Sequence, residues 1–125
     1  MCIRDSERIL INELAMRPHN TGHWSIDGAT TSQFEQHLRA VLDLPLGTPG
    51  MHHRVSAMIN VLGGPADGDL AGRYPAALAA SPEAKYHFYG KAPRPGRKVG
   101  HVTVSGDDVD DVVFRARAAA AHFDD

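Results

Sequence analysis

The first strong pattern in the chain is an apolar run, Ile9-Leu10-Ile11, that passes directly into a polar one, Asn12-Glu13-Leu14-Ala15-Met16-Arg17-Pro18-His19-Asn20-Thr21-Gly22-His23-Trp24. Side chains alternate along a strand. A strand over residues 8–14 therefore puts Ile9, Ile11 and Glu13 on one face and Leu10 and Asn12 on the other. A strand apolar on both faces is expected to be buried on both. Pro18 and Gly22 predict a loop over residues 16–28. Ser32-x-x-Glu35 reads as a capping box that opens a helix. Phe34, Leu38, Val41 and Leu42 then fall at helical spacing on one face, which predicts a buried stripe. Gln33, Gln36 and Arg39 are expected on the wet side, and Pro45 and Gly47 end the helix.

Gly47-Thr48-Pro49-Gly50 has the composition of a domain joint. Beyond it, residues 55–62 read as a strand and 73–80 as a short helix. Residues 85–89 and 99–104 read as a hairpin whose turn includes Arg94-Pro95-Gly96. Residues 107–123 read as a closing helix with acids at its N-terminal end, where they suit the macrodipole. Val109, Val112, Val113, Ala116, Ala120 and Phe123 are its expected buried stripe. Residues 1–6 show no pattern that continues into the strand beginning at Arg8. The organisation is thus α+β: a foreign or unstructured leader over 1–7, one unit over 8–47, and over 48–125 a small antiparallel-sheet domain with a closing helix.

Composition narrows the function classes. A net charge of −2 and a pI near 6.4 argue against nucleic acid or a polybasic membrane surface as partner. Cys2 is the only cysteine, which fits a reducing cytoplasm. No apolar run approaches the roughly 20 residues that span a bilayer, and residues 1–8 lack the apolar segment of a signal peptide. The eight histidines are scattered. With no cysteine partners, a structural zinc site is not expected.

Two segments carry the candidate chemistry. In the first, Glu13 with the adjacent amide Asn12 suits Mg²⁺, a hard cation that takes oxygen ligands; the plain alternative is a structural pair between Glu13 and Arg17. Arg17 offers a planar fork for carboxylate or phosphate. His19 and His23 can move protons near neutral pH, and Asn20 can orient a polar substrate. The alternative is a polar loop with no task, with Trp24 as a core plug. The second segment, residues 90–101, places Lys91, Arg94, Arg97 and Lys98 within eight residues of an otherwise acidic chain. Glycines there permit close backbone approach to a ligand, and such donors suit a phosphate. A solvated basic turn is the plain alternative.

Residues 11–24 followed by Thr31-Ser32-Gln33-Phe34-Glu35-Gln36-His37-Leu38-Arg39-Ala40 resemble the end of the ATP-grasp domain of the 5-(carboxyamino)imidazole ribonucleotide synthase family. Tyr89-Gly90-Lys91 and Arg94-Pro95-Gly96-Arg97-Lys98-Val99-Gly100-His101-Val102 resemble its C-terminal domain. The likeness covers about residues 8–122 in the right order; Met16 stands where the family usually has proline. The resemblance implies ATP-dependent carboxylation of 5-aminoimidazole ribonucleotide with bicarbonate, through carboxyphosphate, in purine synthesis. It implies Glu13 on Mg²⁺ and Asn12 beside it at the ATP phosphates. It places Arg17, His19 and Asn20 on bicarbonate, carboxyphosphate and the aminoimidazole. Lys91, Arg97 and Lys98, with Arg94, would grip the ribonucleotide phosphate. The family also implies a homodimeric parent.

In that family a nucleotide fold and most of the ATP-grasp domain precede the position of Arg8, so a truncated reading frame is expected, without ATP turnover by this chain alone. Turnover dependent on ATP, bicarbonate and aminoimidazole ribonucleotide by the purified 125-residue chain would overturn that expectation. Two rival readings stand beside the resemblance. Formate-dependent glycinamide ribonucleotide transformylase shares an Arg-Pro-His loop and a Gly-Arg-Lys turn, but usually has Asp where Asn20 stands. A stand-alone phosphate- or nucleotide-binding module would use the basic hairpin only.

Overall fold

The computed structural model describes residues 2–5, 8–11 and 13–124. It divides into two compact units, residues 1–50 and 51–125. Asn12 lies outside the described residues, as do the remaining leader positions 1, 6 and 7.

In the first unit, strand β1 (Cys2–Asp5) pairs antiparallel with β2 (Arg8–Ile11), with Ile3 opposite Leu10 and Arg4 opposite Ile9. Part of the expected unpatterned leader is therefore a strand, and β2 is shorter than the predicted 8–14. Glu13 stands beyond the strand rather than on one of its faces. The expected two-sided burial is absent too: Ile11 is 78% exposed and Leu14 is more exposed still. Among the described residues β2 has one strand neighbour, β1, and Ile11 is exposed. The predicted loop over 16–28 contains a 3-10 turn at Asn20–Gly22 and a short helix α1 (Ser25–Gly28).

Helix α2 (Gln33–Val41) starts as its capping signal requires, with Ser32 Oγ accepting from the Glu35 backbone N–H at 3.2 Å. Its two faces are reversed relative to expectation. Phe34, Leu38, Val41 and Leu42 are all exposed, Leu38 at 57%. Gln33 and Gln36, expected in water, are the residues that tie the helix down. Gln33 Oε1 accepts from the His19 N–H at 2.8 Å, and its Nε2 donates to the His19 carbonyl at 2.7 Å. Nε2 also lies 2.7 Å from His23 Nδ1. Gln36 closes a matching pair on Gly47, donating to its carbonyl at 2.7 Å and accepting from its N–H at 2.9 Å. A side-chain amide has both donors and an acceptor, so each glutamine satisfies backbone groups that would otherwise lack partners. A Cβ at Gly22 would stand 2.5 Å from Gln33 Oε1, which is why the turn there carries glycine.

The second unit is a three-stranded antiparallel sheet in the order β3-β5-β4, formed by β3 (Val55–Leu62), β5 (Lys98–Gly106) and β4 (Lys85–Phe88). Helices α3 (Leu70–Ala80) and α4 (Val109–Ala121) complete it. Asp69 and Asp108 cap the two helices, accepting from the Gly72 and Asp111 N–H groups at 2.8 and 2.9 Å. Both elements of the predicted hairpin form and pair, with His87 opposite His101. The core joins Val102 and Val104 of β5 to Val112, Ala116 and Ala119 of α4. Of the predicted stripe on α4, Val112, Ala116, Ala120 and Phe123 are buried; Val109, at the first turn, is exposed. Phe123 is fully buried at the hub of a ring cluster, with centroids 4.6 Å from Phe88, 5.5 Å from Tyr74 and 5.6 Å from Tyr86.

This packing has three measurable consequences. Phe123→Ala removes the hub of the cluster and is expected to cost about 3–5 kcal/mol, read by chemical denaturation of the chain. Gln33→Leu leaves the His19 N–H and carbonyl without their partner. It should speed amide exchange over residues 19–23 by roughly tenfold or more, since losing a hydrogen bond to a part-buried group costs about 1–3 kcal/mol; unchanged exchange would refute the clamp. The exposed Phe34–Leu38–Val41 face is a contiguous apolar surface of the kind that invites association. The chain is expected to self-associate at high concentration, and a monodisperse monomer in ultracentrifugation would contradict this.

Candidate functional site

The polar loop of the first unit is held by the Gln33 clamp. His19 caps the 3-10 turn, its Nδ1 accepting from the Thr21 N–H at 3.2 Å and lying 2.9 Å from the Thr21 hydroxyl. Its other nitrogen, Nε2, lies 3.0 Å from Glu13 Oε1. The structural pair of Glu13 is thus made with His19 and not with Arg17. The Arg17 guanidinium instead donates to the Pro18 carbonyl at 3.2 Å. Its side chain is otherwise exposed and lines a cavity of about 720 Å³, together with Met16, Trp24, Gln36, His37 and Leu46. Trp24 is therefore a cavity wall rather than a core plug. Asn20 opens the 3-10 turn, half-buried beside these groups. The fold brings Glu13 and His19 into contact and sets Arg17 and Asn20 on the same short loop.

Glu13 is an exposed carboxylate, and the described residues gather no group of three or more His, Cys, Asp or Glu around a common point. This donor set does not fit a cage built by protein alone. It fits a cation shared between one carboxylate and phosphate oxygens, which is the habit of Mg²⁺.

The second unit presents its cations on a stapled turn. The Gly63 N–H donates to the Arg97 carbonyl at 2.8 Å, and the Arg94 N–H donates to the Gly63 carbonyl at 3.2 Å. The Arg97 N–H closes on the Arg94 carbonyl at 2.9 Å. Gly63 and Gly96 take φ values of +87° and +70°, which side-chain-bearing residues rarely adopt. The four predicted cations then part into groups. Lys91 and Lys98 place their ammonium nitrogens 5.3 and 5.4 Å from the centroid of the Tyr89 ring. Arg97 reaches back to the Ala92 carbonyl at 3.4 Å. Arg94 lines a separate cavity of about 600 Å³ with Gly63, Gly64, Pro65, Gly96 and Asp124. Burial, and then the neighbouring charge of Lys91, hold the Lys98 ammonium below its ordinary pKa. An anion there would offset the repulsion between the two ammonium groups.

Two residues of this unit are not singled out by the sequence patterns. Tyr89 is noted there as the end of a strand and within the Tyr89-Gly90-Lys91 likeness, with no role of its own, yet its hydroxyl lies 2.6 Å from His101 Nδ1. Asn60, across the ladder from His101, has a buried Oδ1 with no hydrogen-bond partner among the described residues. A signal for Asn60 does exist: it is the one amide inside the apolar run Ala57-Met58-Ile59-Asn60-Val61-Leu62.

Comparison with known proteins agrees with this partition. Residues 56–115 match the phosphoribosylaminoimidazole carboxylase C-terminal domain, and residues 1–34 match the ATP-grasp domain. The N5-carboxyaminoimidazole ribonucleotide synthase of Mycobacterium tuberculosis H37Rv is 56% identical over 114 residues, covering 90% of this chain and 27% of that protein. The synthase of Corynebacterium ammoniagenes is 51% identical over 118 residues, covering 92% of this chain and 28% of that protein. Among solved structures, the phosphoribosylaminoimidazole carboxylase ATPase subunit of Aquifex aeolicus superposes with a TM-score of 0.77 at 42% identity, over 94% of this chain and 34% of that one. The Aspergillus clavatus synthase, solved with ADP and 5-aminoimidazole ribonucleotide, gives 0.76 at 34% identity, over 94% of this chain and 32% of that one. The chain spans about a quarter of the length of the curated relatives it matches, and it belongs to the N5-carboxyaminoimidazole ribonucleotide synthase family.

Proposed function

We propose that this chain contributes to the ATP-dependent carboxylation of 5-aminoimidazole ribonucleotide with bicarbonate, in purine synthesis, with carboxyphosphate as the intermediate. One observation carries the reading. The loop of residues 12–24 and the cation turn of residues 89–102 occur together, in order, in a chain 56% identical to a curated synthase. The two units supply different chemistry. On the first, the Arg17 fork, His19 and Asn20 offer donors to bicarbonate, carboxyphosphate and the amino nitrogen of the imidazole. Glu13, with Asn12, supplies oxygen ligands toward Mg²⁺ at the ATP phosphates; a bound Mg²⁺ there neutralises phosphate charge. On the second, Lys91, Arg97 and Lys98, with Arg94, receive the phosphate of the ribonucleotide.

Phosphoryl transfer is mostly positioning and charge neutralisation, and these are the groups on display. His19 couples the two tasks on the first unit, because its Nε2 holds Glu13 while its Nδ1 is fixed by Thr21. With Mg²⁺ held there, the Glu13 carboxylate would be shared with the His19 Nε2 contact. The working state is cytoplasmic and homodimeric on this reading. No described helix is long and apolar enough to cross a membrane.

The reading is tested by titrating the isotopically labelled chain with 5-aminoimidazole ribonucleotide. Signals of residues 91–101 are expected to move. Arg97→Ala and Lys98→Ala should each weaken binding by roughly tenfold or more, since a charge-assisted hydrogen bond contributes about 1.5–3 kcal/mol. Glu13→Gln should leave this affinity within about twofold while abolishing a separate Mg²⁺-dependent shift of the His19 signals, a factor of two being only about 0.4 kcal/mol. Equal affinity in the wild type and both cation variants would remove the phosphate assignment.

A further inference from the structure

Tyr89 comes directly after β4, and its backbone N–H donates to the Val99 carbonyl at 3.0 Å, extending the ladder by one step. Its ring is half-buried, and two lysines approach it: Lys91 from two residues along the chain and Lys98 from across the hairpin. Lysine ammonium groups brought together repel one another, and each long side chain has many rotamers to choose among. An aromatic face attracts a cation through the ring quadrupole. One ring serving both lysines offsets part of the repulsion and narrows where each ammonium can sit.

The ring is itself fixed. The Tyr89 hydroxyl lies 2.6 Å from Nδ1 of His101, whose residue is only 1% exposed on the central strand. The His101 ring stacks on His87, centroids 4.8 Å apart and 19° from parallel. Burial pushes the Tyr89 phenol up, so it keeps its proton and can donate to Nδ1. β5 also carries one extra residue at this point. Val61 pairs with Gly100 and Leu62 with Lys98, leaving Val99 between them, and a bulge of this kind re-aims the neighbouring side chain.

We infer that Tyr89 and His101 are positioning residues: the ring, held by its hydrogen bond to the buried imidazole, sets Lys91 and Lys98 as a paired receptor for a phosphate monoester. This rests on the proposed reading that the two lysines take the phosphate of the ribonucleotide. His101 touches no ligand on this account. It acts through Tyr89, and Tyr89 acts through the lysines.

The probe is ribose 5-phosphate, titrated into the full 125-residue chain and followed by amide and lysine side-chain signals, with ribose as the uncharged control. Tyr89→Leu is expected to weaken binding at least tenfold and to erase the ring-current shifts of the Lys91 and Lys98 methylenes. Tyr89→Phe keeps the ring but loses its tether, and should weaken binding about three- to fivefold with broadened lysine signals. His101→Leu should do the same, and the double variant should be no worse than either single one. His101→Asn returns an acceptor near the position of Nδ1 and should bind within twofold of the wild type. Should the leucine variants fail to fold, Tyr89→Phe and His101→Asn still decide the matter. Wild-type affinity in folded Tyr89→Phe with unaltered lysine signals overturns the positioning role, while loss of binding in Lys91→Met and Lys98→Met keeps the phosphate site. Wild-type affinity in both methionine variants removes the site itself, and the positioning role with it.

Discussion

The register of β5 is the constraint on which the second unit depends. Along this strand Gly100, Val102, Val104 and Gly106 alternate with His101, Thr103 and Ser105. Val102 and Val104 of the first set belong to the core shared with α4. The second is polar, and its members pair across the ladder with Asn60, Met58 and Ser56 of β3. A slip of one residue would drive an imidazole and two hydroxyls into the helix-packed core and set valines against Asn60 on the other face, where His101 and Thr103 are buried. The penalty is large on both faces, so the register is sharply specified. Everything chemical in this unit inherits its place from that choice. Gly100 leaves room where a Cβ would stand 2.6 Å from the His87 carbonyl. The bulge at Val99 sits one residue from Lys98, and the β4 partner of His101 is the imidazole it stacks on.

The first unit is organised on a different principle. Its helix is anchored by two side-chain amides and not by an apolar stripe. Gln33 and Gln36 each bridge a backbone N–H and a backbone carbonyl on segments 14 and 11 residues away. Such bonds are directional, so they fix the loop of residues 19–23 more narrowly than apolar contact would. They also explain how a polar loop with an exposed carboxylate keeps one shape. The surface cations and acids on α2, such as the Glu35–Arg39 pair one helical turn apart, add little to this.

These two principles account for what is legible in the sequence. Strand β3, the hairpin and the closing helix are readable because one face of each is buried within the chain, and burial leaves period-two and helical patterns behind. The capping signals at Ser32 and the acid-rich start of α4 are readable because a cap is a local event. Burial of β2 and of α2 is misjudged from sequence because an apolar stripe shows which face can be buried and not what covers it. The reversed role of Gln33 is unreadable for a related reason. Glutamine on the polar side of a helix looks the same whether it meets water or a backbone 14 residues upstream. At the site, Arg17, His19, Asn20, Lys91 and Lys98 stand out by residue type and clustering. Clustering does not show that Glu13 turns to His19 and not Arg17, nor that Arg94 lines its own cavity. Tyr89 receives no role of its own because strand alternation accounts for its place, although Tyr89-Gly90-Lys91 carries part of the family likeness.

Glu13 and Lys98 differ in how their charge is compensated. Glu13 is exposed and meets the Nε2 of His19 at 3.0 Å. Lys98 is partly desolvated beside a second ammonium, with an aromatic face as the neutral compensation. Paired surface charges such as Arg115 between Asp111 and Glu83 lie on α4 and in the turn after α3, outside both candidate segments. There a backbone hydrogen bond and the Arg115 guanidinium hold the Glu83 carboxyl below its ordinary range. The two candidate segments thus set charge against an imidazole and against an aromatic face, whereas α4 sets a guanidinium between two carboxylates.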